Sequence, residues 1–218
     1  MQRIRNLSLV GTSHIAKQSI IEVKEAIEKE APSIVALELD YVRYQKLTSD
    51  KKEKFSIKDI SIINLIGAYV EKKIGEKVGV TPGAEMKEAI NLAQKNKINI
   101  ALIDQDIRIT LKRLKKELTA KEKLRFIWDI IKSMMIQDSE LKIDLTKVPK
   151  KKVITKILVM VKDRYPSIYK VLVEERNKVM SRKLLSLMQT NKNVVAVVGA
   201  GHIEGITKII RWNLQKKK

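Results

Sequence analysis

The chain has 218 residues, 44% of them hydrophobic, which suits a single domain with a full core. It contains no cysteine, and this excludes disulfide bonds, thiolate nucleophiles and cysteine-ligated metal sites. The net charge of +20 would suit a polyanion, but most lysines stand beside glutamates in helical patterns and only 4% of residues are aromatic, so we do not expect a nucleic-acid partner.

The first part of the chain alternates predicted strands and helices. An apolar run at 7–10 predicts a buried strand, and SIIEVKEAIEKEAP after it predicts a helix that ends before Pro32. Ser19 and Glu22 have the spacing of a capping box at the start of that helix. The next predicted elements are a strand at 34–39 and a helix at 57–80.

A helix capped near Thr81 and Pro82 comes next, with one apolar face formed by Met86, Ala89, Ile90 and Ala93. A third strand is predicted at 98–103, and a fourth at 194–198 precedes a closing helix at 203–214. Between about 107 and 191 we find helical patterns and no strand pattern. One of these helices, TAKEKLRFIWDIIKSMMI, has an apolar face of Leu124, Ile127, Ile131 and Met134.

This order of elements predicts an α/β fold, with a small, mostly parallel sheet and helices on both of its faces. We expect one domain over residues 1–218, with a large helical insertion at about 107–191. No apolar run reaches the ~20 residues of a membrane span, and no signal peptide is recognisable. We therefore expect a cytoplasmic protein, or the soluble domain of one that reaches a membrane through a segment outside this chain. The apolar surplus of the long helices favours a homodimer.

The two histidines stand in equivalent places. His14 in GTSH and His202 in GAGH each follow a glycine by three residues at the end of a predicted strand. Ligands gather at the carboxyl ends of parallel strands. The other two strands end in ALELD and LIDQD and bring carboxylates to the same edge: Glu38, Asp40, Asp104 and Asp106. Imidazoles and carboxylates together are a ligand set for Zn²⁺, Mn²⁺ or Fe²⁺, although aspartates after strands also cap helices.

Other charged residues stand where a site would need them. EERN places Glu175 and Arg176 within the apolar stripe of a predicted helix, where charges need partners or a function. One interpretation is a buried structural ion pair. The other is that Arg176 stabilises an oxyanion or grips a substrate carboxylate. Glu85, in the first turn of its helix, is a further candidate, although the helix dipole favours an acid there in any case.

Several blocks of the sequence resemble one family. LVGTSHIAKQSIIEVKEAIEKEAPSIVALELDYVRYQKL resembles the opening of the TraB/PrgY pheromone-shutdown family, and PGAEMKEAINLAQKNKINIALIDQDIRITLKRL, EERNKVM and VVGAGHIEGI resemble its later blocks in the same order. The resemblance covers about residues 4–210 and extends to the TIKI metalloproteases, the GumN-like proteins and, more distantly, the erythromycin esterases and ChaN haem-binding proteins. It implies an α/β fold and a site made of His14, His202 and Glu38, with Glu175 and Arg176 as substrate contacts and Asn177 beside them.

The resemblance also implies an activity. TIKI members are divalent-metal-dependent peptidases supported by Mn²⁺ or Co²⁺, and pheromone-shutdown members reduce the activity of peptide pheromones. Our leading hypothesis is therefore a metal-dependent hydrolase of peptides, with Mn²⁺, Co²⁺ or Zn²⁺ held by the two histidines and Glu38 or Asp104. Glu38 is the first candidate for general base and Glu85 the second, and Arg176 would stabilise the oxyanion.

Two other hypotheses remain open. A binding protein that sequesters peptide or haem without turnover would use the same site and leave the peptide intact. A binder of nucleic acid or of an anionic membrane surface would depend on the net charge of +20. Such binding would weaken steeply with salt and would not involve the histidines.

Overall fold

The computed structural model describes residues 1–12, 17–49, 83–135, 151–190 and 192–216. Five strands are described: β1 (Gln2–Ile4), β2 (Leu7–Thr12), β3 (Ile34–Leu37), β4 (Asn99–Leu102) and β5 (Val194–Gly199). The described helices are α1 (Lys17–Glu30), α2 (Tyr41–Thr48), α3 (Ala84–Lys95), α4 (Ile107–Glu117), α5 (Ala120–Met135), α6 (Lys151–Arg164), α7 (Pro166–Tyr169), α8 (Arg176–Met188) and α9 (Ile203–Lys216). A π-helical segment, Lys170–Glu175, joins α7 to α8.

The strands form one sheet in the order β1-β2-β5-β3-β4. All neighbouring strands run parallel except β1, which pairs antiparallel with β2 at the edge. This confirms the predicted α/β fold and its mostly parallel sheet. The sequence patterns did not predict β1, because it has three residues and only Ile4 among them is buried.

Helices cover both faces of the sheet, so the molecule has a core on each side. On one face, Met180, Leu184 and Ile206 from α8 and α9 pack against alternate residues of the strands. On the other face, Val23 and Ile27 of α1 pack with the buried face of α3, which is the predicted one: Met86, Ala89, Ile90 and Ala93. Strand β5 lies between these two layers with partners on both sides, and all six of its residues are buried. Its continuous apolar sequence reflects this position.

The register brings the carboxyl ends of the parallel strands to one edge. Thr12 lies opposite Gly199, and Leu37 lies opposite both Val197 and Leu102. Residues that directly follow these strands are therefore neighbours in space although they are far apart in sequence. The predicted gathering of strand-end side chains depends on this alignment.

Between β4 and β5 the described residues form helices α4 to α8 and no strand. Helix α5 lies where the sequence predicts it, but two residues of its predicted apolar face, Leu124 and Ile127, are 69% and 43% exposed. The prediction that Ser19 caps α1 is wrong, because the helix already includes Lys17 and Ser19 is buried inside it. The helix predicted at 57–80 lies outside the described residues. Among the helices that are described, none combines the length and the apolarity that crossing a membrane requires.

Candidate functional site

Glu38 is the centre of the polar cluster at the carboxyl edge of the sheet. It follows β3 directly, and its backbone N–H still donates to the Val197 carbonyl at 3.0 Å, which fixes its position relative to β5. The residue is only 3% exposed. Its Oε2 accepts from the Gly199 backbone N–H at 2.5 Å, while its Oε1 pairs with Arg176 and lies 3.4 Å from His202 Nε2. Both carboxylate oxygens are therefore engaged, as a buried charge requires.

Arg176, the first residue of α8, joins Glu38 to the end of β4. Its Nη2 donates to Asp104 Oδ2 at 2.7 Å and its Nε to Asp104 Oδ1 at 3.1 Å, which is a two-pronged contact with that carboxylate. Asp104 Oδ2 also accepts from Arg43 of α2, and Arg43 Nε donates to Asp40 at 2.6 Å. The result is a continuous chain of alternating charges from Glu38 to Asp40.

The pKa values follow from this network. Burial alone would raise the pKa of Asp104, but the hydrogen bonds and charges of Arg176 and Arg43 outweigh burial and lower it. Burial would lower the pKa of Arg176, but Asp104 and Glu38 raise it. The network contains three carboxylates and two guanidinium groups, and the Lys183 ammonium group, which donates to the Asp104 carbonyl, balances their charges.

His202 closes the turn between β5 and α9, and its backbone N–H donates to the Gly199 carbonyl at 2.8 Å. Its side chain is buried, with Nδ1 2.7 Å from Asn177 Oδ1. Because an amide oxygen only accepts hydrogen bonds, Nδ1 must carry the proton. In a neutral imidazole the lone pair is then on Nε2, on the side of Glu38. Asn177 thus selects the histidine tautomer that can act as a ligand or a base.

Asn177 can reach His202 because Gly205 has no side chain. A Cβ atom on Gly205 would lie 2.2 Å from Asn177 Nδ2 and 3.0 Å from its Cγ, far inside van der Waals contact. The amide group therefore packs directly on the backbone of α9. Sequence analysis did not predict this role for Gly205, because the contact joins two helices separated by β5.

The π-helical segment Lys170–Glu175 ends directly before Arg176. A π-turn frees a carbonyl from the regular α-helical ladder, and Arg176 Nη1 donates to the Leu172 carbonyl at 3.3 Å. The irregular turn is thus joined to the site by the same arginine that holds Asp104. Such segments are frequent at functional sites.

Two other predicted residues lie away from this network. Glu175 pairs with Arg113 of α4 through contacts of 2.5 and 3.1 Å, and the hydrogen bond from Arg113 lowers the pKa of Glu175. Glu85 is buried in the first turn of α3. Since α3 runs back toward the start of β4, its first turn stands at the carboxyl edge of the sheet, on the face covered by α1. His14 lies outside the described residues.

The sequence analysis did not single out Arg43 or Lys183, although both belong to the cluster. Arg43 stands three residues after Asp40 on α2, a spacing typical of a helical ion pair. Lys183 of α8 donates to the backbone carbonyls of Leu102 and Asp104 at 3.1 and 2.8 Å. It therefore stabilises the end of β4 rather than the reacting groups.

We next considered whether these residues fit a divalent metal ion. His202 Nε2 and Glu38 Oε1 are 3.4 Å apart, a separation that two ligands of one ion have when each lies about 2.1 Å from it. Asp104 fits less well, because Arg176, Arg43 and the Gln105 N–H donate four hydrogen bonds to its oxygens, whereas Glu38 accepts two. In the described part of the chain, no group of three or more candidate ligands forms a complete metal site. The pair therefore meets the distance requirement for two ligands of one ion, and no third described residue joins it.

A cavity of about 880 Å³ borders the site. Its wall includes Gly11 at the end of β2 and residues Ala200, Gly201 and Ile203, which flank His202 in the turn into α9. The far wall is formed by α6 and by Trp212 of α9. The volume lies within the range of small-ligand sites.

The comparisons with known proteins agree with the motifs. The sequence pattern of the TraB/PrgY/gumN family matches residues 3–217. An uncharacterized protein of Methanocaldococcus jannaschii is 39% identical over 217 residues, covering 94% of this chain and 53% of that protein. TraB domain-containing proteins of Bos taurus and Homo sapiens are 26% and 24% identical over 233 residues, covering 92% of this chain and 61% of each protein. This chain thus spans only about half to three-fifths of the length of these relatives. It belongs to the TraB/PrgY/gumN family.

Proposed function

We propose that this chain is the hydrolytic domain of a metal-dependent hydrolase that acts on peptides. The observation that supports this proposal best is the arrangement around His202. Its Nδ1 is oriented by Asn177 at 2.7 Å, and its Nε2 faces Glu38 Oε1 at 3.4 Å. A buried imidazole held in a defined tautomer next to a carboxylate is typical of metal and acid–base sites.

His202 and Glu38 are the described residues that would hold the ion. When bound, a divalent ion there supplies Lewis acidity, which polarises a carbonyl group and acidifies water. Glu38 suits the role of a fixed ligand, because the Gly199 N–H and Arg176 already hold its two oxygens. The proton of the attacking water then needs another carboxylate. Glu85, buried in the first turn of α3 and outside the Arg176 network, is the other candidate for that base.

Arg176 would stabilise the negative charge that develops on the carbonyl oxygen. Its guanidinium group already lies between Glu38 and Asp104, so its position is fixed before substrate arrives. Such preorganisation reduces the cost of stabilising charge in the transition state. Asn177 acts through His202 and is therefore a positioning residue.

The test begins with calorimetric titration of Mn²⁺, Co²⁺ and Zn²⁺ into the wild type, His202→Ala and Glu38→Gln. The matched control is Asp106→Asn, because Asp106 is another strand-end carboxylate but caps α4 through the Arg108 N–H at 2.8 Å. We expect one-site binding that both site variants lose and the control keeps. Mass spectrometry of a mixed peptide pool should then show metal-stimulated cleavage that depends on His202. Full cleavage by His202→Ala would refute the proposal.

One observation favours a second candidate, a domain that binds peptide without turnover. Arg176 and Glu38 already neutralise each other, so neither charge needs a substrate group as its partner. Such a paired site can hold a ligand and carry out no chemistry. The same mass-spectrometric assay separates the two functions, because sequestration removes peptide from solution and returns it intact on denaturation.

A further inference from the structure

We propose that the cavity beside the Gly199–His202 turn binds the carboxyl-terminal part of the peptide substrate. An apolar side chain of the peptide would fill the cavity, and Lys208 and Arg211 would pair with the free terminal carboxylate. This inference rests on the proposed function for the identity of the substrate. The residues that line the cavity determine its position, the charges of its walls and the distance from His202 to the two cations.

The first argument is the position of the cavity. It shares the turn between β5 and α9 with the candidate site, since Gly201 and Ile203 line it and His202 between them contacts Glu38. Among the described residues, a Cβ atom on Gly201 would meet Leu158 Cδ2 at 3.7 Å, which is ordinary van der Waals contact. This contact marks where α6 closes on the turn that carries His202.

The second argument is the chemistry of the walls. Ile154 and Leu158 of α6 and Trp212 of α9 offer apolar surface, with Trp212 itself 54% exposed. Lys208 and Arg211 lie on the cavity side of α9, and within the described residues neither has an ion-pair partner. The lining also contains two carboxylates, both with partners of their own: Glu22 accepts from Gln18 at 2.6 Å, and Glu204 stands in the first turn of α9. An apolar group with a carboxylate on one end matches this surface.

The distance from His202 to the two cations corresponds to the length of a short extended peptide. Lys208 and Arg211 are six and nine residues beyond His202 on α9, which corresponds to about 9 and about 13 Å along the helix. An extended peptide advances about 3.3 Å per residue. If the peptide bond to be cleaved lies beside His202, a terminal carboxylate three to four residues further along the peptide would therefore reach these cations. The inference predicts a preference for cleavage near a free carboxyl terminus.

The test uses the acetylated tetrapeptide Ala-Ala-Leu-Ala with a free carboxylate or with a carboxamide end. Binding is followed by the fluorescence of Trp212 in a Trp128→Phe background, so that a single tryptophan reports. We expect the free acid to bind about tenfold tighter than the amide, since it adds two partly exposed charge pairs. Lys208→Met/Arg211→Met should abolish that difference. An equal affinity for acid and amide in the parent protein would overturn the inference.

A second variant blocks the cavity itself. Gly201→Leu should fill the space in front of Leu158 and weaken the binding of both peptides, whereas Gly201→Ala adds one methyl group in ordinary contact and should bind normally. Unchanged binding by Gly201→Leu would also overturn the inference. Metal titration of the same variants separates the two proposals. Loss of peptide binding with metal binding intact supports the cavity site. Peptide binding without any cleavage contradicts only the proposed hydrolase.

Discussion

Replacement of Gly205 by alanine should disturb the site through Asn177. The added Cβ would lie 2.2 Å from Asn177 Nδ2, so the amide must move by about 1.2 Å to reach ordinary contact near 3.4 Å. A shift of that size breaks the 2.7 Å contact with His202 Nδ1. The buried groups left without partners cost about 1–3 kcal/mol, and overpacking costs about 1–3 kcal/mol more. We expect a loss of about 2–6 kcal/mol in the free energy of unfolding.

Urea denaturation measures this loss, and Gly201→Ala is the matched control because, among the described residues, its added Cβ meets Leu158 in ordinary contact at 3.7 Å. Nitrogen-15 NMR of His202 should show that the Nδ1-protonated tautomer is no longer dominant in Gly205→Ala. A double-mutant cycle with Asn177→Ala isolates the contact, since the alanine at position 205 should cost much less when the amide is absent. Gly205→Ala within about 0.5 kcal/mol of wild type, with unchanged imidazole shifts, would refute the reasoning.

Two further predictions concern stability. Although burial acts in the opposite direction, Arg176 and Arg43 hold the pKa of Asp104 below its ordinary value of 3.8. The ionised carboxylate therefore stabilises the fold above pH 3.8, and this contribution is lost as the pH falls through the folded-state pKa. Asp104→Asn should therefore lower the free energy of unfolding by about 3 kcal/mol at pH 7. In denaturation series from pH 2.5 to 6, the free energy of unfolding of this variant should fall less with decreasing pH than that of the wild type, and an equal fall would contradict this role of Asp104. Thr119→Ala should cost about 1 kcal/mol in urea denaturation, because Thr119 and Glu122 form a capping box with contacts of 2.7 to 3.2 Å, and Thr119→Ser should retain most of that stability.

Long periodic patterns made most of the fold predictable from the sequence. The apolar run of β5 and the face of α3 are buried as expected, because each was long enough to show its period. The capping box at Ser19 failed for a physical reason. A serine followed three residues later by a glutamate also occurs inside a helix, and here Ser19 lies on the buried side of α1. The pattern specifies spacing but not where the helix begins.

The candidate site was predictable only in part. Glu38 was expected at the carboxyl edge because ALELD ends a predicted strand, and it directly follows Leu37, the last residue of β3. Asp104 was expected as a ligand or a cap, whereas its oxygens contact two arginines. Neither arginine was assigned to it, because the pairing depends on β3 and β4 ending side by side, as Leu37 does opposite Leu102. Strand pairing of this kind is not encoded in any local spacing.

The position of Glu175 and Arg176 shows how the site and the helix depend on each other. Both residues fall in the apolar stripe of an ideal helix, where each charge needs a partner, and consecutive helical residues point about 100° apart. The structure gives them different partners: Glu175 pairs with Arg113 on α4, and Arg176 pairs with Glu38 and Asp104 at the sheet edge. The π-helical turn ends at this pair of residues, and Arg176 binds the carbonyl of Leu172 within it. Each of these half-buried charges thus has its own partner, and the next residue, Asn177, packs on Gly205 and contacts His202.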